Sequence, residues 1–149
     1  MFVLELRGYM QDADGNGTLD PNGRISVHED KDGDGVYETH SIFVDNLVFP
    51  RMVMPFGPDR ILTKESNADE VWLYTDTNGD GVADRKELFT TGMGRLANVE
   101  HQESHFMWGM DNWIYSTYNA FRVRWTPGGV LSEPTGANQA QCGVTQDNY

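Results

Sequence analysis

The sequence has a single cysteine, Cys142, and no apolar run of the length that crosses a bilayer. One cysteine excludes an internal disulfide framework and any metal site built from several thiolates. The absence of about 18 consecutive apolar residues excludes a transmembrane helix within this sequence. The opening segment, residues 1–6, is too short and too soon acidic for a secretory signal. We therefore expect a fold stabilised by packing and polar contacts, with no inserted segment.

Basic residues are also scarce, since the sequence has 11 lysines and arginines but 23 acidic residues, which gives a formal net charge of −12. Nucleic-acid binding is not expected, because no basic run is available to neutralise phosphates. The 149 residues are enough for one domain with a sizeable core. A content of 16 glycines and 6 prolines indicates many turns. The acidic residues are clustered, which favours metal ligands over a uniformly solvated surface.

Three acidic windows share one pattern, and we call them loop 1 (residues 12–20), loop 2 (residues 30–38) and loop 3 (residues 76–84). Each has oxygen-bearing side chains at positions 1, 3, 5 and 9 and glycine at position 6. Calcium binds six to eight oxygens, which alternate residues of a tightly curled loop can supply together with the carbonyl of position 7. The predicted ligands are Asp12, Asp14, Asn16, Thr18 and Asp20 in loop 1, Asp30, Asp32, Asp34, Val36 and Glu38 in loop 2, and Asp76, Asn78, Asp80, Val82 and Asp84 in loop 3.

Solvated turns and EF-hands are two alternatives for these loops. Solvated Asp-Gly turns are common hairpin connections, but carboxylates held close together repel one another unless a cation is present. Loop 3 also fits the EF-hand pattern, because Glu87 falls at position 12. Its flanks, residues 70–75 and 86–91, are short and rich in β-branched and aromatic residues. We therefore expect hairpin loops, with the poorest calcium-binding context in loop 1.

An internal repeat predicts the architecture. Loops 2 and 3 superpose with their flanks at a spacing of 46 residues, and the segment 54–62 recurs as 107–115 with a weaker copy at 141–149. A repeat of about 40–50 residues made of short strands is typical of a β-propeller blade. A plain β-sandwich would not predict that both hairpins repeat. We expect an all-β fold with about three four-stranded blades, approximately 1–48, 49–94 and 95–149, from a longer, six-bladed propeller.

Two segments carry a resemblance to known enzymes. Residues 47–63, LVFPRMVMPFGPDRILT, resemble the inner-strand motif of the soluble quinone-dependent aldose and glucose dehydrogenases. Residues 101–115, HQESHFMWGMDNWIY, resemble the stretch that carries the catalytic histidine of those enzymes. The D-x-D-G-D-G hairpins are more similar to the propeller of large secreted proteins of planctomycetes and relatives, which are described as membrane-bound dehydrogenases. The enzyme-like part covers about residues 47–118.

The resemblance implies a calcium-containing propeller that binds pyrroloquinoline quinone. It implies that His101 is the general base towards a sugar or alcohol substrate and that Gln102 lies at the wall of the cofactor pocket. Electrons would pass to a c-type cytochrome domain or another acceptor. The sequence departs from the family motif at Glu103, Ser104 and His105, where small or basic residues are expected. Calcium loops suit a calcium-rich compartment, so we expect a periplasmic, cell-surface or secreted protein.

A non-catalytic alternative uses the same loops. In it, calcium stiffens the hairpins of a propeller that binds glycan or protein or acts as a scaffold, and His101 is a polar residue facing solvent. A metal site of His101 and His105 is a further alternative. His28 and His40 flank loop 2 and are expected to be cross-strand neighbours. The four tryptophans are expected to pack between blades, with carbohydrate stacking as the alternative for one or two of them.

Overall fold

The fold was examined in a computed structural model, which describes residues 1–94, 98–136 and 145. These residues form eleven strands in three antiparallel sheets, and their helical content is two short 3₁₀ turns at Asn16–Leu19 and Val99–His101. The all-β prediction is confirmed. The first sheet contains β1 (Phe2–Glu5), β2 (Gly23–Glu29) and β3 (Thr39–Leu47). The second contains β4 (Pro50–Pro55), β5 (Arg60–Glu65), β6 (Val71–Thr75) and β7 (Arg85–Thr90), and the third β8 (Phe106–Trp108), β9 (Ile114–Ser116), β10 (Phe121–Thr126) and β11 (Gly129–Pro134).

Each sheet is a simple meander in which strands adjacent in sequence are paired. The second sheet lies between the other two, and its strands follow the twofold alternation of a pleated sheet. Ile61 and Tyr74 pack towards the first sheet in one apolar cluster, whereas Leu62 and Phe89 pack towards the third sheet in another. Both faces of the second sheet are therefore buried, which accounts for the run of four buried residues in β5 and for the apolar sequence of β6.

The hairpins that carry loops 2 and 3 have the same register. His28 pairs with His40 and Val27 with Ser41, and 46 residues later Tyr74 pairs with Lys86 and Leu73 with Glu87. Each hairpin contains an irregularity at the equivalent place, between Ile25 and Ser26 and between Val71 and Trp72. Both loops thus connect neighbouring antiparallel strands, and the expectation of hairpins in place of EF-hands is confirmed.

The second repeat is also structural. Met54 pairs with Leu62, and 53 residues later Met107 pairs with Tyr115. The turn residue is left-handed in both copies, with φ of 54° at Asp59 and 65° at Asn112. The weaker third copy, at 141–149, lies outside the described residues except for position 145. Cys142 also lies outside them.

The meander places connections alternately at two ends of the sheets. Loops 2 and 3 and the turns between β4 and β5, β8 and β9, and β10 and β11 lie at one end, which we call the loop end. The connections β1–β2, β3–β4, β5–β6, β7–β8 and β9–β10 lie at the other, the crossover end. Loop 1 belongs to the long β1–β2 connection, residues 6–22. It therefore lies at the end opposite to loops 2 and 3.

Candidate functional site

Loop 2 brings four carboxylates together at the loop end. One carboxylate oxygen from each of Asp30, Asp32, Asp34 and Glu38 lies within 4.8 Å of the others. Within the described residues, it is the one group of three or more acidic, histidine or cysteine side chains that converges in this way. Asp30 is half-buried and the other three are exposed. Four of the five positions predicted as ligands in this loop thus present converging side-chain oxygens.

The backbone of loop 2 wraps around the first aspartate. Asp30 Oδ1 accepts a hydrogen bond from the Gly33 N–H at 2.7 Å, and Asp30 Oδ2 accepts one from the Gly35 N–H at 2.9 Å. Both glycines are left-handed, with φ of 78° and 91°. Glycine adopts this conformation without the steric cost that a Cβ would impose. The two glycines therefore permit the tight curl that turns the side chains at positions 1, 3, 5 and 9 inward.

Loop 3 repeats the same hydrogen-bond pattern. Asp76 accepts from the N–H groups of Gly79 and Gly81, each at 2.7 Å. In both loops position 3 accepts from the N–H of position 5, position 5 from that of position 7, and position 9 from that of position 2. These bonds are Asp32–Asp34, Asp34–Val36 and Glu38–Lys31 in loop 2, and Asn78–Asp80, Asp80–Val82 and Asp84–Thr77 in loop 3. The two loops share one backbone hydrogen-bond pattern, with an amide replacing a carboxylate at position 3 of loop 3. The carboxylates of loop 3, unlike those of loop 2, belong to no converging group among the described residues.

Loop 3 is also anchored to the first sheet. Ser41 Oγ on β3 donates a hydrogen bond to the Gly81 carbonyl at 2.6 Å, and the Ala83 N–H donates to the Phe43 carbonyl at 2.9 Å. A Cβ at Gly81 would lie 2.5 Å from Ser41 Oγ. Asp76 is only 7% exposed. The contact fixes loop 3 against its neighbour, whereas Gly35 at the equivalent place in loop 2 has open space around it.

The electrostatics of the loops favour ionised ligands. Burial by itself would raise the pKa of Asp76, but the N–H donors of Gly81, Gly79, Asn78 and Asp80 outweigh it and the pKa is lowered. The N–H of Lys31 lowers the pKa of Glu38. The carboxylates of Asp76 and Glu38 are thus kept ionised at neutral pH, which is the form that binds a hard cation.

Loop 1 does not share this geometry. Asp12 accepts from the N–H groups of Asn16 and Gly17, at 3.1 and 3.3 Å, which are positions 5 and 6 in place of 4 and 6. Gly15 is left-handed, but Gly17 is not, and residues 16–19 form a 3₁₀ turn. Asp14 and Asp20 are exposed and belong to no converging group among the described residues. The shared sequence pattern therefore corresponds to two different backbones.

The histidine segment lies at the crossover end. His101 ends the 3₁₀ turn Val99–His101 and is exposed, whereas Gln102 is fully buried. The Gln102 amide is paired with Asn67, since Oε1 accepts from the Asn67 N–H at 2.8 Å and Nε2 donates to Asn67 Oδ1 at 2.7 Å. Gln102 thus joins the segment before β8 to the turn between β5 and β6. Its amide is directed at that turn.

A buried ion pair beside Gln102 was not predicted from the sequence. Lys64 and Glu103 are 0% and 3% exposed, and Lys64 Nζ lies 3.8 Å from Glu103 Oε2. Burial lowers the pKa of Lys64, an effect that Glu103 partly offsets. The only signal in the sequence was a lysine inside an apolar strand. The pair explains why an acidic residue stands at position 103, where the dehydrogenase motif has a small or basic one.

The remaining histidines and the tryptophans divide between surface and core. His28 and His40 are confirmed as cross-strand neighbours, with ring centroids 5.6 Å apart and planes 21° apart. Neither His101 nor His105 belongs to the converging group found among the described residues. Trp113 is buried, whereas Trp108 and Trp125 are 44% and 50% exposed at the loop end.

The fold and loops together define a class: an all-β chain of repeated hairpins with acidic loops at one end. The match to a family model described as a domain of unknown function, DUF7133, extends over residues 1–149. The chain belongs to this family. No curated protein and no solved structure matches the chain. Within the described residues, no helix has the length and apolar character needed to cross a membrane.

Proposed function

We propose that the three sheets are consecutive blades of a β-propeller. Three features support this architecture: each sheet is a meander, the sheets follow one another in chain order, and the middle sheet packs on both faces. The two hairpin repeats keep their register from sheet to sheet. A β-sandwich has only two facing sheets. The sheets fall within the expected blades 1–48, 49–94 and 95–149, and six blades is the number that the resemblance implies.

The proposed function is calcium binding at loops 2 and 3, in a propeller that acts as a calcium-stiffened binding or scaffold module. The observation that carries it is the convergence of four carboxylate oxygens in loop 2. Like charges placed this close destabilise the folded loop unless a cation offsets them. Calcium accepts many oxygens in a flexible arrangement, whereas magnesium demands near-ideal octahedral geometry and retains water. Four carboxylates on a hairpin loop, three of them exposed, therefore suit calcium better.

Calcium at the loops would act on stability through linkage. The folded loop presents its ligands together and the unfolded chain does not, so free calcium favours the folded state. Loop 3 is fastened to β3 through Ser41, so an ion there would also stiffen the contact between the first two sheets. This role suits a calcium-rich periplasmic, cell-surface or secreted setting.

Calorimetric titration and thermal unfolding of the chain would test this proposal. We expect two ions per chain and a melting temperature that rises by about 5–10 °C for each site at roughly 100 times its Kd. Asp30→Asn and Asp76→Asn should each remove one site. Asp45→Asn, which removes a charge outside the loops, is the matched control. No heat of binding, together with a melting temperature that chelator leaves unchanged, would reject the proposal.

The second candidate function is that of a quinoprotein sugar or alcohol dehydrogenase. Its specific support is the exposed His101 at the crossover end, where a neutral imidazole would be accessible as a general base. The fit to pyrroloquinoline quinone is otherwise poor, because the Gln102 amide is directed at Asn67 and Glu103 is buried against Lys64. This geometry favours the non-catalytic module.

The two functions are separable by activity. The calcium-loaded protein would be supplied with pyrroloquinoline quinone and a panel of sugars and alcohols, with dye reduction followed in wild type, His101→Ala and the control His40→Ala. Substrate-dependent reduction lost only in His101→Ala would establish the dehydrogenase. Absence of both quinone binding and turnover in folded protein would leave the binding module as the function.

A further inference from the structure

A cleft separates the outer strands of the second and third sheets at the loop end. Its volume is about 480 Å³, within the range of small-molecule sites. It is lined on the second sheet by Arg60, Leu73, Arg85, Glu87, Leu88 and Phe89, and on the third by Trp125, Gly129 and Val130. None of these residues belongs to the predicted calcium ligands or to the histidine segment.

The register explains why this cleft is polar on one wall. Arg60 pairs with Thr75, and Thr75 pairs with Arg85, so the two arginines stand on one face of the second sheet. Leu73 and Glu87 form the next pair along the same face. The two guanidinium groups therefore lie at the loop end of the cleft. Phe89, Leu73 and Val130 lie deeper, in or against the apolar core, whereas Leu88 is exposed.

The opposite wall carries one aromatic side chain, that of Trp125. The Trp125 ring is half exposed and contacts Phe56 at a centroid distance of 6.4 Å, and Phe56 stacks on Trp108 at 5.3 Å with planes 14° apart. An exposed indole offers a flat apolar face with a polar N–H at its edge. Phe56 holds both tryptophans in place, so the indole of Trp125 is presented to the cleft as a fixed surface.

The charge of the cleft is opposite to that of the chain. Arg85 is paired with Glu87 at 2.7 Å, while the Arg60 guanidinium forms no hydrogen bond or ion pair within the described part of the chain. The lining thus carries one excess positive charge in a chain whose net charge is −12. Arginine binds carboxylates through two parallel hydrogen bonds. An anionic group is the complementary partner for this wall.

We propose that the cleft binds an acidic saccharide. A sugar ring would lie against the Trp125 indole, its carboxylate would pair with Arg60, and its hydroxyl groups would donate to Glu87 and accept from Arg85. The proposal rests on the binding role given to the module above and names its ligand. It does not require an ion in loop 2 or loop 3.

The test is a titration of the ¹⁵N-labelled, calcium-loaded chain with trigalacturonic acid, following the indole N–H resonances. We expect the Trp125 resonance to shift with saturation and the methyl ester of the same trisaccharide to bind about tenfold more weakly, as expected for the loss of a charge-assisted hydrogen bond. Trp125→Ala and Arg60→Met should each weaken binding by roughly tenfold. Leu131→Ala and Arg7→Met remove an exposed apolar group and an exposed charge elsewhere and should leave the affinity unchanged.

Several results would overturn the inference. An unmoved Trp125 resonance at millimolar trisaccharide is one, and equal affinity for the acid and its ester is another. If Arg7→Met and Arg60→Met weakened trisaccharide binding equally, the binding would reflect general charge attraction and not a specific site in the cleft. Calcium titration of the same sample keeps the two proposals apart, because loss of saccharide binding with two ions bound rejects only the cleft. Saccharide binding without calcium uptake rejects only the calcium loops.

Discussion

At the scale of single residues, loops 2 and 3 each have a glycine at position 6, but the two glycines have different surroundings. Gly35 and Gly81 are both left-handed, with φ of 91° and 81°. Nothing lies within 4 Å of a Cβ at Gly35, whereas a Cβ at Gly81 would lie 2.5 Å from Ser41 Oγ. Both positions therefore need glycine for the left-handed backbone, but only Gly81 also needs it because a Cβ would clash with its neighbour.

These glycines give a matched pair of substitutions. In chelator, we expect Gly35→Ala to lower the free energy of unfolding by about 1–2 kcal/mol through backbone strain alone. Gly81→Ala should cost about 1 kcal/mol more, because Ser41 must move and lose its hydrogen bond to the Gly81 carbonyl. Denaturant unfolding measures both. In a Ser41→Ala background, which already lacks the hydrogen bond and the clashing hydroxyl, Gly81→Ala should cost no more than Gly35→Ala; an extra cost that persists there would contradict this explanation.

At the scale of elements, the turn between β5 and β6 holds the segment that leaves β7. Asp69 accepts hydrogen bonds from the Gly92 N–H at 3.0 Å and the Gly94 N–H at 2.8 Å. These two N–H donors lower the pKa of Asp69, and that of Gly92 has the larger effect. A carboxyl group whose pKa is lower in the folded state stabilises the fold above its unfolded pKa. This stabilisation is lost as the pH falls through the folded value.

The pH dependence of Asp69→Asn tests this contact. We expect the variant to be less stable than wild type at pH 7, because an amide oxygen is a weaker acceptor than a carboxylate. The difference should shrink below about pH 4, the ordinary aspartate range, as the wild-type group becomes protonated. Denaturant unfolding at pH 7 and pH 3, in chelator, measures it. A difference that is the same at both pH values would show that Asp69 acts through shape alone.

The elements also show how far sequence reasoning extends. Strands, both repeats and the hairpin nature of loops 2 and 3 were predictable, because pleat alternation and glycine positions are local properties. Loop 1 has the same ligand pattern, yet its 3₁₀ turn places Asp12 differently, since it lies within the 17-residue connection 6–22 and does not follow a strand directly as loops 2 and 3 do. The Lys64–Glu103 pair and the Gln102–Asn67 pair were not predictable. Each joins residues 35 or more positions apart, and only the packing of the second and third sheets brings them together.

At the scale of the whole molecule, the three sheets do not have equal support. The second sheet is buried on both faces and has three apolar residues at 0% exposure, Ile61, Leu62 and Val71, whereas Ile25 and Val123 are the corresponding residues of the first and third sheets. The first and third sheets each pack against it on one face within the described chain. Opening of an outer sheet therefore exposes one interface, whereas opening of the second exposes two. Local stability should follow the number of interfaces.

Native-state hydrogen exchange tests this order. We expect the amides of β5 and β6 to exchange most slowly, at rates set by global unfolding, and those of β1 and β11 to exchange through openings of lower free energy. Calcium should slow exchange in β2, β3, β6 and β7, the strands that loops 2 and 3 connect, more than in β8 to β11, which carry no calcium loop. Asp76→Asn is expected to abolish the effect in β6 and β7 while leaving that in β2 and β3. A uniform response of all three sheets would instead mean that the chain unfolds as one cooperative unit, with the loops acting only on its total stability.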